Sequence, residues 1–148
     1  MGQPHFSLNG VDPIMYQITP FSFHYLFDVN CYLIETDIGF ILIDSALSNK
    51  RSELEEELVN VGCIPGNLRL IILTHGHLDH TGNCAYLRDK YGADVAMHSD
   101  DAPMAELGDM FFNRNILLRW FLKLVTSILR LGVTKFKPDI LLDDGQDL

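Results

Sequence analysis

Four consecutive aliphatic residues, Leu70 to Leu73, stand between Arg69 and Thr74 and leave the chain little architectural choice. The run is too short for a helix. A strand apolar at every position is buried on both faces, so it belongs in the middle of a sheet. The segment after the strand sets its direction relative to its neighbour. Gly82 to Tyr91 is predicted as a helix closed by Gly92, and Ala93 to Met97 as the next strand. A strand–loop–helix–strand succession predicts a parallel α/β unit with a right-handed crossover. Ligands of such units gather at the carboxyl ends of the strands, so the loop after Leu73 is where chemistry should be sought.

That loop reads Thr74-His75-Gly76-His77-Leu78-Asp79-His80-Thr81-Gly82. Three of the chain's six histidines, with a carboxylate, fall within six positions. From composition alone, H-x-H-x-D-H arises in roughly one such chain in a thousand. Zinc is ligated by imidazole and carboxylate at short range, so its ligands must converge from a compact segment. On an extended loop His75 and His77, two residues apart, point the same way and can clamp one metal. Asp79 and His80, as neighbours, diverge from that pair and can reach a second ion. Gly76 gives the backbone freedom to wrap, and Leu78 can anchor the loop to the core.

The flanks are read more coarsely. Ile14 to Ile18 and Ser22 to Phe27 are short aromatic and β-branched stretches, while Asn30 to Thr36 and Phe40 to Asp44 form a hairpin about Asp37-Ile38-Gly39. Ser48 to Val61 is predicted as a helix stopped by Gly62, with Glu53 to Glu57 as a solvated face. Met104 to Leu131 is a helical segment of two helices. In its second part Leu117, Phe121, Leu124, Ile128 and Leu131 form a broad apolar stripe opposite Arg119, Lys123 and Arg130. The stripe is expected to pack on the core or on a partner subunit; a substrate lid and a membrane-surface element are the sharper alternatives.

The chain's 148 residues, 47% of them hydrophobic, fit one folded domain spanning 1–148 and exclude a disordered chain. No window has 18 uninterrupted apolar residues, and the start has no readable signal peptide. Cys31, Cys63 and Cys84 are too few and too scattered for a disulfide framework and read as buried small hydrophobes, which points to the cytoplasm. The net charge of −9 is uneven: residues 1–110 hold 16 acids and five bases, residues 111–138 six bases and no acid. A net-acidic chain is a poor general nucleic-acid binder, although one basic segment can steer an anionic ligand.

With these elements in place, the sequence resembles the metallo-β-lactamase superfamily. The resemblance rests on the His75 to His80 signature and the Leu70 to Thr74 strand before it. Weaker matches are Asn30-Cys31-Tyr32-Leu33-Ile34, the Gly39 to Asp44 strand with Asp44-Ser45-Ala46, the strand ending at His98, and the stretches Pro138-Asp139-Ile140 and Asp143-Asp144-Gly145. Two departures are Ser45-Ala46 where the family often has Thr-Gly, and Asn83 where a second glycine is common. The resemblance implies an α+β fold, the αβ/βα sandwich. The chain covers its N-terminal half with a helical insertion at 104–131, in an intact form of roughly 200–250 residues. It implies His75 and His77 as ligands of a first zinc ion and Asp79 and His80 as ligands of a second, with Fe and Mn suiting the same donors. It further implies a metal-bound hydroxide, oriented by Asp79, that attacks an ester, thioester, amide or phosphoester small-molecule substrate. Asp44 supports the site from behind the ligands or serves the turn.

The family's later ligands are not in these 148 residues, and each site is left with two. His98 reads as an ordinary strand-end residue before a substitute ligand, His5 and His24 still less as ligands, and Asp143, Asp144 and Asp147 as an exposed acidic tail. Two alternatives stand beside the hydrolase: a non-catalytic homo-oligomeric module joined through the 117–131 stripe, and a di-iron redox member of the superfamily.

Overall fold

A computed structural model describes residues 16–24, 28–112, 114–129 and 131–145. The chain forms one six-stranded sheet in sequential order: β1 (Gln17–His24), β2 (Asp28–Thr36), β3 (Gly39–Ile43), β4 (Leu68–Leu73), β5 (Asp94–His98) and β6 (Ile140–Leu142). The first three strands are antiparallel, and β3 through β6 run parallel. The Leu70 to Leu73 run lies in the sheet interior between two parallel neighbours, as an aliphatic strand should.

Among the described residues the helices are α1 (Arg51–Asn60), α2 (Leu78–Thr81), α3 (Cys84–Tyr91), α4 (Ala102–Leu107) and α5 (Ile116–Ile128). The hairpin between β2 and β3 depends on Gly39. Its φ is 133°, and a Cβ there would stand 2.3 Å from the Asn67 carbonyl oxygen. The core lies against one sheet face, where Leu54 and Leu58 of α1 and Cys84, Leu87 and Tyr91 of α3 cover Phe21, Leu33, Leu42 and Ile71. The alternate positions Ile34, Ile41, Ile43, Leu70 and Ile72 are only half-buried, and Ile18 and Tyr32 are exposed. The three cysteines are buried and free; burial raises the thiols of Cys31 and Cys63 to about 12 and Cys84 further.

Several expectations are corrected. The two early strands merge across Pro20 into β1, which is an edge strand and tolerates a residue without an N–H; the rest of those stretches, Ile14, Met15 and residues 25–27, lies outside the described residues. The helix expected from Ser48 begins as a single 3-10 turn, Ser48–Lys50, before α1. The helix expected over Gly82 to Tyr91 is α3, which starts at Cys84 because Asn83 is drawn into the loop after β3; the short helix α2 before it was not expected. Strand β6 is too short to read from three residues. It is fixed by Asp139, whose N–H donates to the Val95 carbonyl (2.8 Å) and whose Oδ2 accepts the Val95 N–H (3.0 Å).

The largest correction concerns α5. From Leu117 to Ile128 its apolar stripe does not pack on the core, and no described residue of α5 is buried; only the stripe's last member, Leu131 beyond the helix, is buried. The polar edge turns inward instead. Asp109, its side chain 1% exposed, takes Arg119 Nη2 at 2.6 Å, Arg119 Nε at 2.7 Å and Lys123 Nζ at 2.7 Å. The outward face presents Leu117, Trp120, Phe121, Leu124 and Ile128 to solvent.

Candidate metal centre

Strand β4 ends at Leu73, and the chain crosses the sheet edge through Thr74 to His77 before α2 begins. His77 is the last residue before that helix: its carbonyl accepts the N–H groups of His80 (3.0 Å) and Thr81 (2.9 Å) and the Thr81 hydroxyl (2.9 Å). The segment is therefore half loop and half helix, and the helical half returns Asp79 and His80 towards His75. One ligand atom from each of His75, Asp79 and His80 lies within 4.8 Å of the others. His80 Nε2 stands 3.3 Å from Asp79 Oδ2, and the rings of His75 and His80 are 3.9 Å apart. His77 is exposed and is not part of this trio; its ring meets His75 edge-on at 4.7 Å.

Behind the trio stands Asp44, at the end of β3 and 4% exposed. Its Oδ2 lies 2.8 Å from His80 Nδ1. A carboxylate can only accept, so Nδ1 donates and Nε2 is left facing the ligand cluster. Asp44 Oδ1 also accepts the Thr74 N–H (2.8 Å), and the Thr74 hydroxyl bonds Oδ2 (2.8 Å). One carboxylate thus ties the ends of two neighbouring strands to the histidine of a helix.

The loop after Asp44 is held just as firmly. Ser45 donates both its N–H and its hydroxyl to the His80 carbonyl, each at 2.7 Å. Asn83, fully buried, donates its amide to the carbonyls of Ser45 and Leu47 (both 2.8 Å) and accepts from Arg51 Nε (3.2 Å). Gly82 lies where a Cβ would come within 2.5 to 2.8 Å of the backbone of Ser48, Ala46 and Leu78. On the other flank Asp101 accepts the Gly76 N–H at 3.1 Å.

Charge follows from these contacts. The Asp44 hydrogen bond outweighs burial and raises the His80 imidazole above its ordinary pKa. Burial, followed by the neighbouring His80 and His77, lowers that of His75. His75 is accordingly biased towards its neutral form, whereas His80, held by Asp44 through Nδ1, turns Nε2 towards Asp79.

Of the residues singled out from sequence, His75, Asp79, His80 and Asp44 are brought together, with His77 at the margin. His98 ends β5 and faces Asp100 and Asp144 at 3.8 and 3.6 Å. His24 pairs with Asp28 on the surface, and His5 and Asp147 lie outside the described residues. The support from Asp101 carries no signal in the sequence. Ser45 and Asn83 carried one, as departures from the family pattern, and Thr74 stands in the strand that carries the resemblance.

Comparison with known proteins gives the family. The family model of the metallo-β-lactamase superfamily matches residues 24–147, and the chain belongs to that superfamily. Hydroxyacylglutathione hydrolase GloC of Haemophilus influenzae is 32% identical over 69 residues, which is 47% of this chain and 31% of that protein. The uncharacterized protein YobT of Bacillus subtilis is 33% identical over 84 residues, 57% of this chain and 35% of its own. The crystal structure of BJP-1, a subclass B3 metallo-β-lactamase of Bradyrhizobium japonicum, superposes with a TM-score of 0.65 at 26% identity, covering 80% of this chain and 40% of that one. The chain thus spans about a third of the length of these curated relatives.

Proposed function

We propose that this chain is the metal-binding part of a hydrolase acting on an ester, thioester, amide or phosphoester small molecule. The observation that carries the reading is the convergence of His75, Asp79 and His80, with Asp44 fixing the His80 ring behind them. The donor set fits a divalent ion. Two imidazoles and a carboxylate are zinc ligands, and a histidine held by a carboxylate on its other nitrogen is the usual arrangement around zinc. The same donors suit Fe and Mn.

As the resemblance implies, His75 and His77 would hold one ion and Asp79 and His80 a second, with His75 within 4.8 Å of the second pair. When bound, the metal supplies an acidified water as nucleophile and positive charge for the substrate oxygen. Asp79 would accept a hydrogen bond from a water held there, and Asp44 keeps His80 in register through Nδ1. The free buried cysteines favour a cytoplasmic setting. One relative is by name a hydrolase, which supports the reaction class.

The test is metal analysis and turnover by the full-length protein on a panel of thioester, β-lactam, carboxylic ester and phosphodiester substrates. Zinc loading is expected to activate one class, and Asp79→Ala and His75→Ala to lose at least about 100-fold in kcat/KM together with metal content. Turnover that survives Asp79→Ala, or zinc content unchanged in His75→Ala, would overturn the reading.

A further inference from the structure

Helix α5 is mounted with its polar edge towards the protein and its apolar face towards water. The inversion is built, because the buried Asp109 carboxylate engages Arg119 and Lys123 together. That clamp leaves Ile116 (62% exposed), Leu117 (81%), Trp120 (69%), Phe121 (62%), Leu124 (60%) and Ile128 (72%) facing out. A contiguous outward face of large apolar side chains is well beyond the scattered hydrophobics of an ordinary surface and marks a binding surface.

Charge decides what it binds. Residues 111–138 contain six bases and no acid, in a chain whose net charge is −9. Arg114, just before the helix, is exposed, as is Lys135, whose side chain lies against Gly108 beside the Asp109 clamp, in addition to the two bases held by Asp109. Two copies meeting through this face would set the bases of this segment against each other, with each Asp109 carboxylate already engaged by Arg119 and Lys123 of its own chain. An anionic lipid surface matches both parts, since its headgroups attract the flanking cations while its acyl boundary takes the apolar face. The acidic remainder of the chain is repelled by the same surface, so only the α5 side can approach.

We propose that α5 is a peripheral membrane-docking element that lies in the interface of an anionic bilayer with Leu117, Trp120, Phe121 and Leu124 inserted. The docking is independent of the hydrolase reading, because no residue of the metal cluster takes part in it.

The experiment uses the full-length protein and vesicles of phosphatidylcholine, alone or with about one third phosphatidylglycerol, read by flotation and by Trp120 emission taken as the difference from Trp120→Phe. Trp120 is the only tryptophan of these 148 residues and sits in the middle of the face. Co-flotation with the anionic vesicles, a blue shift of Trp120 and loss of both at high salt are expected. Leu117→Glu/Leu124→Glu is expected to abolish binding. Arg114→Glu/Lys135→Glu, which leaves the apolar face intact, is expected to weaken it about tenfold or more. Equal binding to neutral vesicles overturns the proposal, as does no flotation. A blue-shifted Trp120 without vesicles overturns it too, assigning the face to a second copy if sedimentation depends on concentration and to the protein's own further chain if it does not.

Discussion

Asp44 and Ala46 both hold a left-handed backbone, at φ 61° and 55°, where a residue with a Cβ costs about 1–2 kcal/mol. The strain is offset by what the turn achieves, which is to aim the Asp44 carboxylate at Thr74 and His80 at once. Asn adopts the left-handed region readily, so Asp44→Asn keeps the turn and removes the charge. Zinc affinity is expected to fall about 10–100-fold in a chelator competition, with the fold intact by circular dichroism. An unchanged affinity would assign Asp44 to the turn alone. Gly82 is the complementary case: its missing side chain is what lets α2 lie on the backbone of residues 46–48. Gly82→Ala is expected to lower stability by about 2–3 kcal/mol in urea denaturation, because the atoms a methyl would meet are backbone and cannot swing aside.

At the scale of elements, the orientation of α5 rests on one buried carboxylate. Burial by itself would raise the Asp109 pKa, but hydrogen bonds from Lys123, the Phe111 N–H and Arg119 outweigh it and hold the carboxyl below its ordinary range. A carboxyl depressed by folding adds stability above its unfolded pKa and loses it as pH falls through the folded value. Acidification through the lower carboxylate range is therefore expected to loosen α5 from the body, seen as faster amide exchange over 116–128 once the intrinsic pH dependence is removed. Asp109→Asn at neutral pH is expected to do the same at a cost of about 1–2 kcal/mol, since Arg119 and Lys123 remain partly in water and can relax outward. The helix itself was legible, because Ile116 to Leu129 is amphipathic from end to end. Its facing was not, because periodicity locates an apolar face without saying which way it looks. The partner that turned it, Asp109, is one of fourteen aspartates and has nothing in its sequence surroundings to single it out.

At the scale of the molecule, the sheet has one covered face and one half-covered face bearing Ile34, Ile41, Ile43, Leu70 and Ile72. If a second layer completes the sandwich in the full-length protein, Ile72→Asp is expected to cost about 3 kcal/mol or more there, through a carboxylate buried without a partner. A cost below about 0.5 kcal/mol in a denaturant titration would leave that face to solvent. Local order along the chain is enough to specify the central strand, the parallel crossover after it and the loop where the candidate metal ligands collect. Each is written in neighbouring residues: an aliphatic run, a helical period, and histidines spaced two and three apart. Long-range contacts were needed to turn Asp79 and His80 back on His75 through the short helix α2, to set Ser45 and Asn83 behind the loop, and to show the apolar side of α5 to water. Those outcomes depend on hydrogen bonds between residues 10 to 38 positions apart, and no local pattern encodes which distant partner a polar side chain will find.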